Sequence, residues 1–128
     1  MSNIPAELNY SPEHEWIATA DSDSVVRIGI TDFAQDALGE VVYVDHPEVG
    51  ATVSAGDVVG EVESTKSVSD IYAPVSGEIT KVNDALDNEP QAINSDPYGA
   101  GWLFEIKLAE DSGFEALLSA EEYTKQVG

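Results

Sequence analysis

The feature that most constrains the fold is a series of short β-type segments that follow one another through the middle of the chain. Residues 41–44, 58–64, 68–72 and 77–82 are rich in valine and isoleucine, and turns with glycine or proline separate them except at 65–67. Short strands at such close spacing are typical of a small barrel or sandwich. We therefore predict a mainly β fold in a single domain that spans residues 1–128.

Short helices are predicted on both sides of this β region. Thr31 or Asp32 caps a helix at 32–38, and Gly39 stands where helices commonly end. Near the C-terminus, Ser119 is followed three residues later by a glutamate, which is the spacing of a capping box and predicts a further helix.

The remaining predictions concern the loops, the other strands and the aromatic residues. Trp16, Tyr43 and Trp102 are assigned to the core, because aromatic residues in strands usually fill it. The other predicted elements are strands at 16–19, 25–30 and 102–108, a turn at 21–24, a short helix or loop at 84–88, a loop at 91–101, and a helical extension at about 112–128 that begins with a helix at 114–118.

The charge of the chain is strongly acidic. Five lysine and arginine residues stand against 25 aspartate and glutamate residues, for a formal net charge of -20. Such a surface repels nucleic acids and anionic membranes, so neither is predicted as a partner. The acidic residues are scattered along the chain, which indicates adaptation to high salt, where a screening length of about 3 Å at about 1 M salt removes most of the self-repulsion.

The remaining composition indicates a folded cytoplasmic protein. Hydrophobic residues make up 42% of the chain, which argues against disorder. No stretch approaches the roughly 20 apolar residues that span a bilayer. The first residues carry neither a basic region nor an apolar run, so no secretory signal is predicted.

The motifs of common catalytic and metal sites are all incomplete. His14 begins a pattern typical of zinc peptidases, but Ala18 stands where the second histidine belongs. A dinucleotide-like glycine pattern at 99–101 has Phe104 in place of its third glycine. The chain has no cysteine, and its second histidine, His46, is distant in sequence, so we predict no metal site. This absence of catalytic machinery favours a carrier over an enzyme.

One lysine stands out against this background. Lys66 lies between two predicted strands in GEVESTKSVSDIYAPVSG, at residues 60–77, and would stand near the apex of a hairpin. A primary amine on a flexible stem in such a place is suited to carrying an attached group, although most exposed lysines have no such role. A short repeat of the form G-E-[VI]-x-x-V at 39–44 and 77–82 suggests two similar halves, with Lys66 between them.

Several motifs, in order along nearly the whole chain, resemble the H-protein family of the glycine cleavage system. They are YSPEHEW at 10–16, IGITDFAQDALGEVVYVD at 28–45, PEVG at 47–50, GEVESTKSVSD at 60–70, APVSGEITKV at 73–82, and NSDPY at 94–98 with Gly101 and Trp102. The resemblance implies a lipoyl-domain-like β-sandwich, also called a barrel-sandwich hybrid, with short flanking helices.

The resemblance also implies the site. Lys66 matches the lysine that receives lipoic acid through an amide bond, and Glu15, Ile30 and Asp70 match a cleft in which the loaded arm docks. Relatives often have a histidine where this chain has Ala37. Biotin carriers share the architecture but have methionine on both sides of their lysine, which this chain lacks.

The function implied is that of a non-catalytic, monomeric carrier. Its lipoyl arm would take the aminomethyl group of glycine from a pyridoxal-phosphate glycine decarboxylase to a tetrahydrofolate-dependent aminomethyltransferase. A dihydrolipoyl dehydrogenase would reoxidise the arm, and a lipoate-attaching enzyme would install it. Two alternatives remain open: a lipoyl or biotinyl carrier of another acyl- or carboxyl-transfer system, and a stand-alone enzyme that uses a carboxylate pair.

Overall fold

Two antiparallel sheets and three short α-helices form the described part of the chain. The computed structural model describes residues 4–19, 24–109, 113 and 117–127. The strands are β1 (Asn9–Tyr10), β2 (Glu15–Thr19), β3 (Val25–Ile30), β4 (Val41–Asp45), β5 (Thr52–Val53), β6 (Val58–Ser64), β7 (Val68–Tyr72), β8 (Gly77–Val82) and β9 (Phe104–Leu108). The helices are α1 (Asp32–Leu38), α2 (Ala92–Ser95) and α3 (Ala120–Val127), with a 3₁₀ turn at Asp84–Asp87.

The larger sheet has six strands in the order β1-β2-β3-β9-β8-β5, and the smaller has three in the order β4-β6-β7. The β6–β7 hairpin pairs Glu61 with Asp70 and Glu63 with Val68. This register places residues 65–67, and so Lys66, in the turn of the hairpin. The arrangement confirms the predicted mainly β sandwich.

The core lies between the two sheets and follows from the alternation of side chains along each strand. In β6, Val62 is buried while its neighbours Glu61 and Glu63 are exposed. Ile28 and Ile79 of the larger sheet are completely buried in the same hydrophobic cluster. Each such side chain contributes about 1.5–3 kcal/mol to folding.

A second hydrophobic cluster joins the start of the chain to α3. It contains Tyr10, Trp16 and Tyr123, each at most 1% exposed. Trp16 lies across Gly29 on the neighbouring strand, where an added Cβ would stand 2.6 Å from the indole nitrogen. Glycine at that position therefore makes the space that the indole ring occupies.

The predicted helix ends are confirmed in detail. Thr31 caps α1 by accepting a hydrogen bond from the Ala34 amide, and Gly39 ends the helix at a φ of 92°. Ser119 and Glu122 exchange hydrogen bonds of 2.9 and 3.2 Å, which is the predicted capping box. No helix in the described ranges is long and apolar enough to cross a membrane.

Some predictions at the level of single elements were wrong. The predicted loop at 91–101 contains α2, and the last strand begins at Phe104 instead of residue 102. Tyr43 is 57% exposed and not in the core, because a bulge between Val41 and Tyr43 shifts the register of β4. Trp102 is only partly buried.

The predicted helical extension at about 112–128 is represented by α3. Leu118 forms a β-bridge to Tyr10 and is not the end of a helix. Residues 114–116 of the predicted helix at 114–118, and residues 21–23 of the predicted turn, lie outside the described residues. Strands β1 and β5, of two residues each, were not predicted.

Candidate functional site

The tip of the β6–β7 hairpin, defined as residues 64–67, is closed by a backbone hydrogen bond from the Ser64 amide to the Ser67 carbonyl at 2.8 Å and by the side chain of Ser64. The Ser64 hydroxyl oxygen accepts hydrogen bonds from the Lys66 amide at 3.2 Å and the Ser67 amide at 3.0 Å. The same hydroxyl lies 3.1 Å from the Ser67 carbonyl, to which it donates. Serine side chains that bond to nearby backbone stabilise turns. This explains why the tip forms without the glycine or asparagine that a tight turn usually contains.

Lys66 is exposed at this tip. None of the ion pairs formed among the described residues involves its amine. Its stem passes the end of α1, where a Cβ on Gly39 would stand 3.0 Å from the Lys66 Cε atom. The amine is therefore available for covalent attachment without the loss of a stabilising ion pair.

A cleft of about 360 Å³ adjoins the tip, within the size range of ligand sites. Glu15, Ile30 and Asp70, the three residues predicted for arm docking, all line it. Ser67 and Val68 line the same cleft and are the residues that follow Lys66. The structure thus brings the predicted cleft residues together, next to the lysine. Their role in docking stays a prediction.

Glu15 is the most unusual group in the cleft, because it is a carboxylic acid that is only 1% exposed. The Ser11 hydroxyl donates to it at 2.5 Å and the Tyr72 amide donates at 3.3 Å. Burial raises the pKa of Glu15 from its ordinary value of 4.5 to about 8, although both hydrogen bonds act in the opposite direction. Glu15 is therefore mainly neutral at pH 7, and a cation beside it would favour its ionised form.

The other carboxylates near the tip are exposed. Asp45, Glu61 and Asp70 stand directly opposite one another across β4, β6 and β7. Like charges that face each other across strands are destabilising. Tyr43 and Val68, 57% and 56% exposed, lie on the same small sheet. The small sheet, whose β6–β7 hairpin carries Lys66, thus presents an acidic row and exposed apolar side chains.

Two residues of the cleft lining, His14 and Phe33, were missed by the sequence predictions. Their rings lie 4.9 Å apart. Burial lowers the pKa of His14, which favours the neutral ring. The only sequence signal was the adjacency of His14 to Glu15, since nothing local indicated that Phe33 on α1 would face β2. Within the described ranges, no group of three or more histidine and acidic residues is arranged to hold a metal ion.

Comparison with known proteins agrees with this geometry. A family model described as glycine cleavage H-protein matches residues 8–128. This chain belongs to the glycine cleavage H-protein family. Both the hairpin tip and the cleft lie within the matched residues, so the family assignment covers the whole candidate site.

Individual members of the H-protein family are similar over almost their full length. The chain is 67% identical over 123 residues to the glycine cleavage system H protein of Micrococcus luteus, with 96% of each chain covered. It is 58% identical over 127 residues to that of Mycobacterium avium, again with 96% of each covered. A crystal structure of a glycine cleavage system H protein from Mycobacterium marinum matches with a TM-score of 0.88 at 50% identity, covering 98% of this chain and 99% of that one.

Proposed function

We propose that this chain is the lipoyl carrier of a glycine cleavage system. It would bear lipoic acid on Lys66 and carry the aminomethyl group of glycine from the glycine decarboxylase to the tetrahydrofolate-dependent aminomethyltransferase. The observation that carries this proposal is the position of Lys66, an exposed amine with no ion pair in the described structure, directly before Ser67 in the lining of the cleft that Glu15, Ile30 and Asp70 also line.

The site fits a lipoyl group. The tip presents the Lys66 amine to solvent, where an attaching enzyme would reach it, and the cleft has room for an arm that returns to the surface of the protein. The lipoyl group, when bound, would supply a disulfide, one sulfur atom of which takes up the aminomethyl group and later releases it. Tethering at Lys66 replaces free diffusion with a local search at high effective concentration.

The cleft would protect the loaded arm through two kinds of contact. Ile30, Leu38 and Val62 provide apolar surface that excludes water. Glu15 and Asp70 provide carboxyl groups beside which a positively charged amine is stabilised. Glu15 would keep its proton while the cleft is empty, and it would ionise when the positively charged amine of the arm docks beside it.

The exposed face of the small sheet would serve recognition by the partner enzymes. It combines the acidic row of Asp45, Glu61 and Asp70 with the apolar side chains of Tyr43 and Val68, on the sheet whose hairpin carries Lys66. The partners would be the decarboxylase with its pyridoxal phosphate, the aminomethyltransferase, dihydrolipoyl dehydrogenase and the lipoate-attaching enzyme. A cytoplasmic location and a monomeric state stay predictions.

Intact mass spectrometry tests the attachment. Wild-type protein produced together with a lipoate-attaching enzyme should gain the mass of one lipoyl amide, and Lys66→Arg should gain none. Lys125→Arg is the matched control, because Lys125 is an exposed lysine on α3 whose only ion pair in the described structure is a surface contact of 3.8 Å. An unmodified wild type, or a modified Lys66→Arg, would overturn the assignment. A biotin-sized addition would support the alternative carrier.

Reconstitution tests the pathway. Lipoylated wild-type protein mixed with glycine decarboxylase, the aminomethyltransferase, dihydrolipoyl dehydrogenase, tetrahydrofolate and a two-electron acceptor for the dehydrogenase should release carbon dioxide and ammonia from glycine. Lys66→Arg should be inactive in the same mixture. Lipoylation without glycine decarboxylation would favour a carrier of another acyl-transfer system. Turnover that survives Lys66→Arg would favour a stand-alone enzyme.

A further inference from the structure

The C-terminal helix reaches the wall of the cleft through Tyr123, whose ring packs edge-on against His14 with centroids 5.7 Å apart. Tyr123 of α3 is completely buried, and its hydroxyl oxygen lies 2.8 Å from the Nδ1 atom of His14 and 2.8 Å from the Oγ1 atom of Thr31. His14 lines the cleft, and Thr31 is the cap of α1, which supplies another side of the cleft. One group of α3 thus contacts both sides at once.

The hydrogen bonds of this group form a consistent directed chain. The Ala34 amide donates to the Thr31 hydroxyl oxygen at 3.2 Å. A Thr31 hydroxyl group that donates to the Tyr123 oxygen leaves the Tyr123 hydroxyl group to donate to Nδ1 of His14. A neutral histidine that accepts at Nδ1 carries its own proton on Nε2.

The backbone at His14 needs such support. Among the residues that the structure describes, His14 is the only one other than glycine with a positive φ, at 72°. A residue held in that region persists when its surroundings over-determine it. The Thr31 amide donates to the His14 carbonyl at 3.0 Å, and Gln126 of α3 donates to the Pro12 carbonyl at 2.9 Å. The loop that precedes Glu15 is therefore held from both α1 and α3.

We propose that Tyr123 is a positioning residue for the cleft, whose hydroxyl group holds the His14 loop and the first turn of α1 in the arrangement that receives the loaded arm. The inference rests on the proposed carrier function. Tyr123 contacts neither Lys66 nor the arm, and it acts through His14, Phe33 and Glu15. The hydroxyl group, and not the ring, is the part that matters, so Tyr123→Phe is the informative variant.

A matched control lies in the same cluster. Tyr10 is completely buried, and its ring stacks on that of Tyr123 with centroids 4.8 Å apart. Its hydroxyl group donates to the Pro5 carbonyl at 2.6 Å, away from the cleft. Tyr10→Phe therefore removes one hydroxyl hydrogen bond from the same layer without touching His14 or Thr31.

The first measurement uses unmodified protein and does not depend on the arm. Long-range nitrogen–proton NMR reports the tautomer of each histidine, and the chain has only His14 and His46. Tyr123→Phe should change the His14 nitrogen shifts and speed amide exchange at Thr31 by about tenfold, the scale of one lost hydrogen bond. His46, which pairs with Asp87, is the internal reference. Unchanged His14 signals, or equal changes in Tyr10→Phe, would overturn the proposal.

The second measurement uses lipoylated, loaded protein. The loaded group should be lost about tenfold faster in Tyr123→Phe than in wild type or Tyr10→Phe, again on the scale of one hydrogen bond. Ala37→Trp fills the cleft from α1 and gives the rate without protection. If Tyr123→Phe loses the group as slowly as wild type, the proposed role of Tyr123 is wrong. If wild type already loses it as fast as Ala37→Trp, protection by the cleft is wrong, and the NMR result alone decides the role of Tyr123.

Discussion

At the tip of the β6–β7 hairpin, the backbone is held by the side chain of Ser64, by a backbone bond from the Ser64 amide to the Ser67 carbonyl, and by one bond outside the hairpin, from the Thr65 amide to the Glu40 carbonyl at 2.9 Å. The wall of the adjoining cleft is built differently. There, Glu15 and Tyr123 are fully buried polar side chains with two hydrogen bonds each.

This difference corresponds to two requirements of a carrier. A group that must visit several enzymes needs an attachment point with few bonds to the rest of the fold, because such segments open at low free energy. A cleft that receives the group needs a fixed shape, which requires buried and fully bonded side chains. The predictions below test whether the tip and the wall differ in this way.

The largest expected difference is in global stability. Trp16, behind the wall, is 1% exposed and donates to the Pro97 carbonyl at 2.8 Å, so Trp16→Ala should lower the free energy of unfolding by about 3–5 kcal/mol. Thr65→Ala at the tip should change it by less than about 0.5 kcal/mol. Urea unfolding at one ionic strength measures both. Equal losses of unfolding free energy in the two variants would show that the tip contributes as much to stability as the wall.

The next effect is a pH dependence of the free energy of unfolding, which comes from Glu15 in the wall of the cleft. Because the pKa of Glu15 is raised on folding from 4.5 to about 8, its contribution to stability is complete below about pH 4.5 and is lost as the pH rises to about 8. The folded state binds the extra proton in this window. The free energy of unfolding of wild type, relative to Glu15→Gln, should therefore fall with a slope of up to about 1.4 kcal/mol per pH unit.

Comparison with Glu15→Gln isolates this effect, since the other carboxylates and His14 are common to both proteins. Glutamine keeps the shape of a neutral glutamic acid, so the two proteins should have similar stability near pH 4.5 and diverge above it. A relative stability that rises with pH between about 4.5 and 8 would mean that Glu15 is ionised and paired in the folded state.

A smaller effect is expected from loosening the tip. Ser64→Ala removes the hydroxyl group that closes the turn and should cost about 1 kcal/mol. Amide exchange should become faster at Lys66 and Ser67, whose amides donate to that hydroxyl oxygen. Ser69→Ala, an exposed neighbour on β7, is the control. If amide exchange also becomes faster at Thr31 on the wall, the tip and the wall are coupled, and the proposed difference between them is wrong.

Local signals predicted much of the fold. The alternation in β6, the cap at Thr31 and the capping box at Ser119 are each encoded within a few residues. Helix α2 was missed because it has only four residues and no side-chain cap from which its start could be predicted. The exposure of Tyr43 depends on a bulge, which the spacing of apolar residues does not reveal.

The site was predictable only in part, for a different physical reason. Lys66 stood out by its position between two strands, but Glu15, Ile30 and Asp70 were named from family resemblance, and only the structure shows them in one cleft. Tyr123 lies 109 residues from His14, so no local pattern connects them. The interpretation of the acidic composition as adaptation to high salt stays a prediction.

The smallest predicted effect concerns Ala37, an exposed residue of α1 that lines the cleft. Ala37→His should slow the loss of the loaded group by up to about threefold near pH 8, because the neutral ring accepts one hydrogen bond from the arm's amine. Below its ordinary pKa of about 6.5, the introduced histidine becomes positively charged and repels that amine, so the benefit should disappear. Ala37→Leu adds volume without polarity and should show no such pH dependence. Equal protection by both variants across this range would mean that the wall protects the arm by excluding water alone, and that its polar groups are not needed for retention.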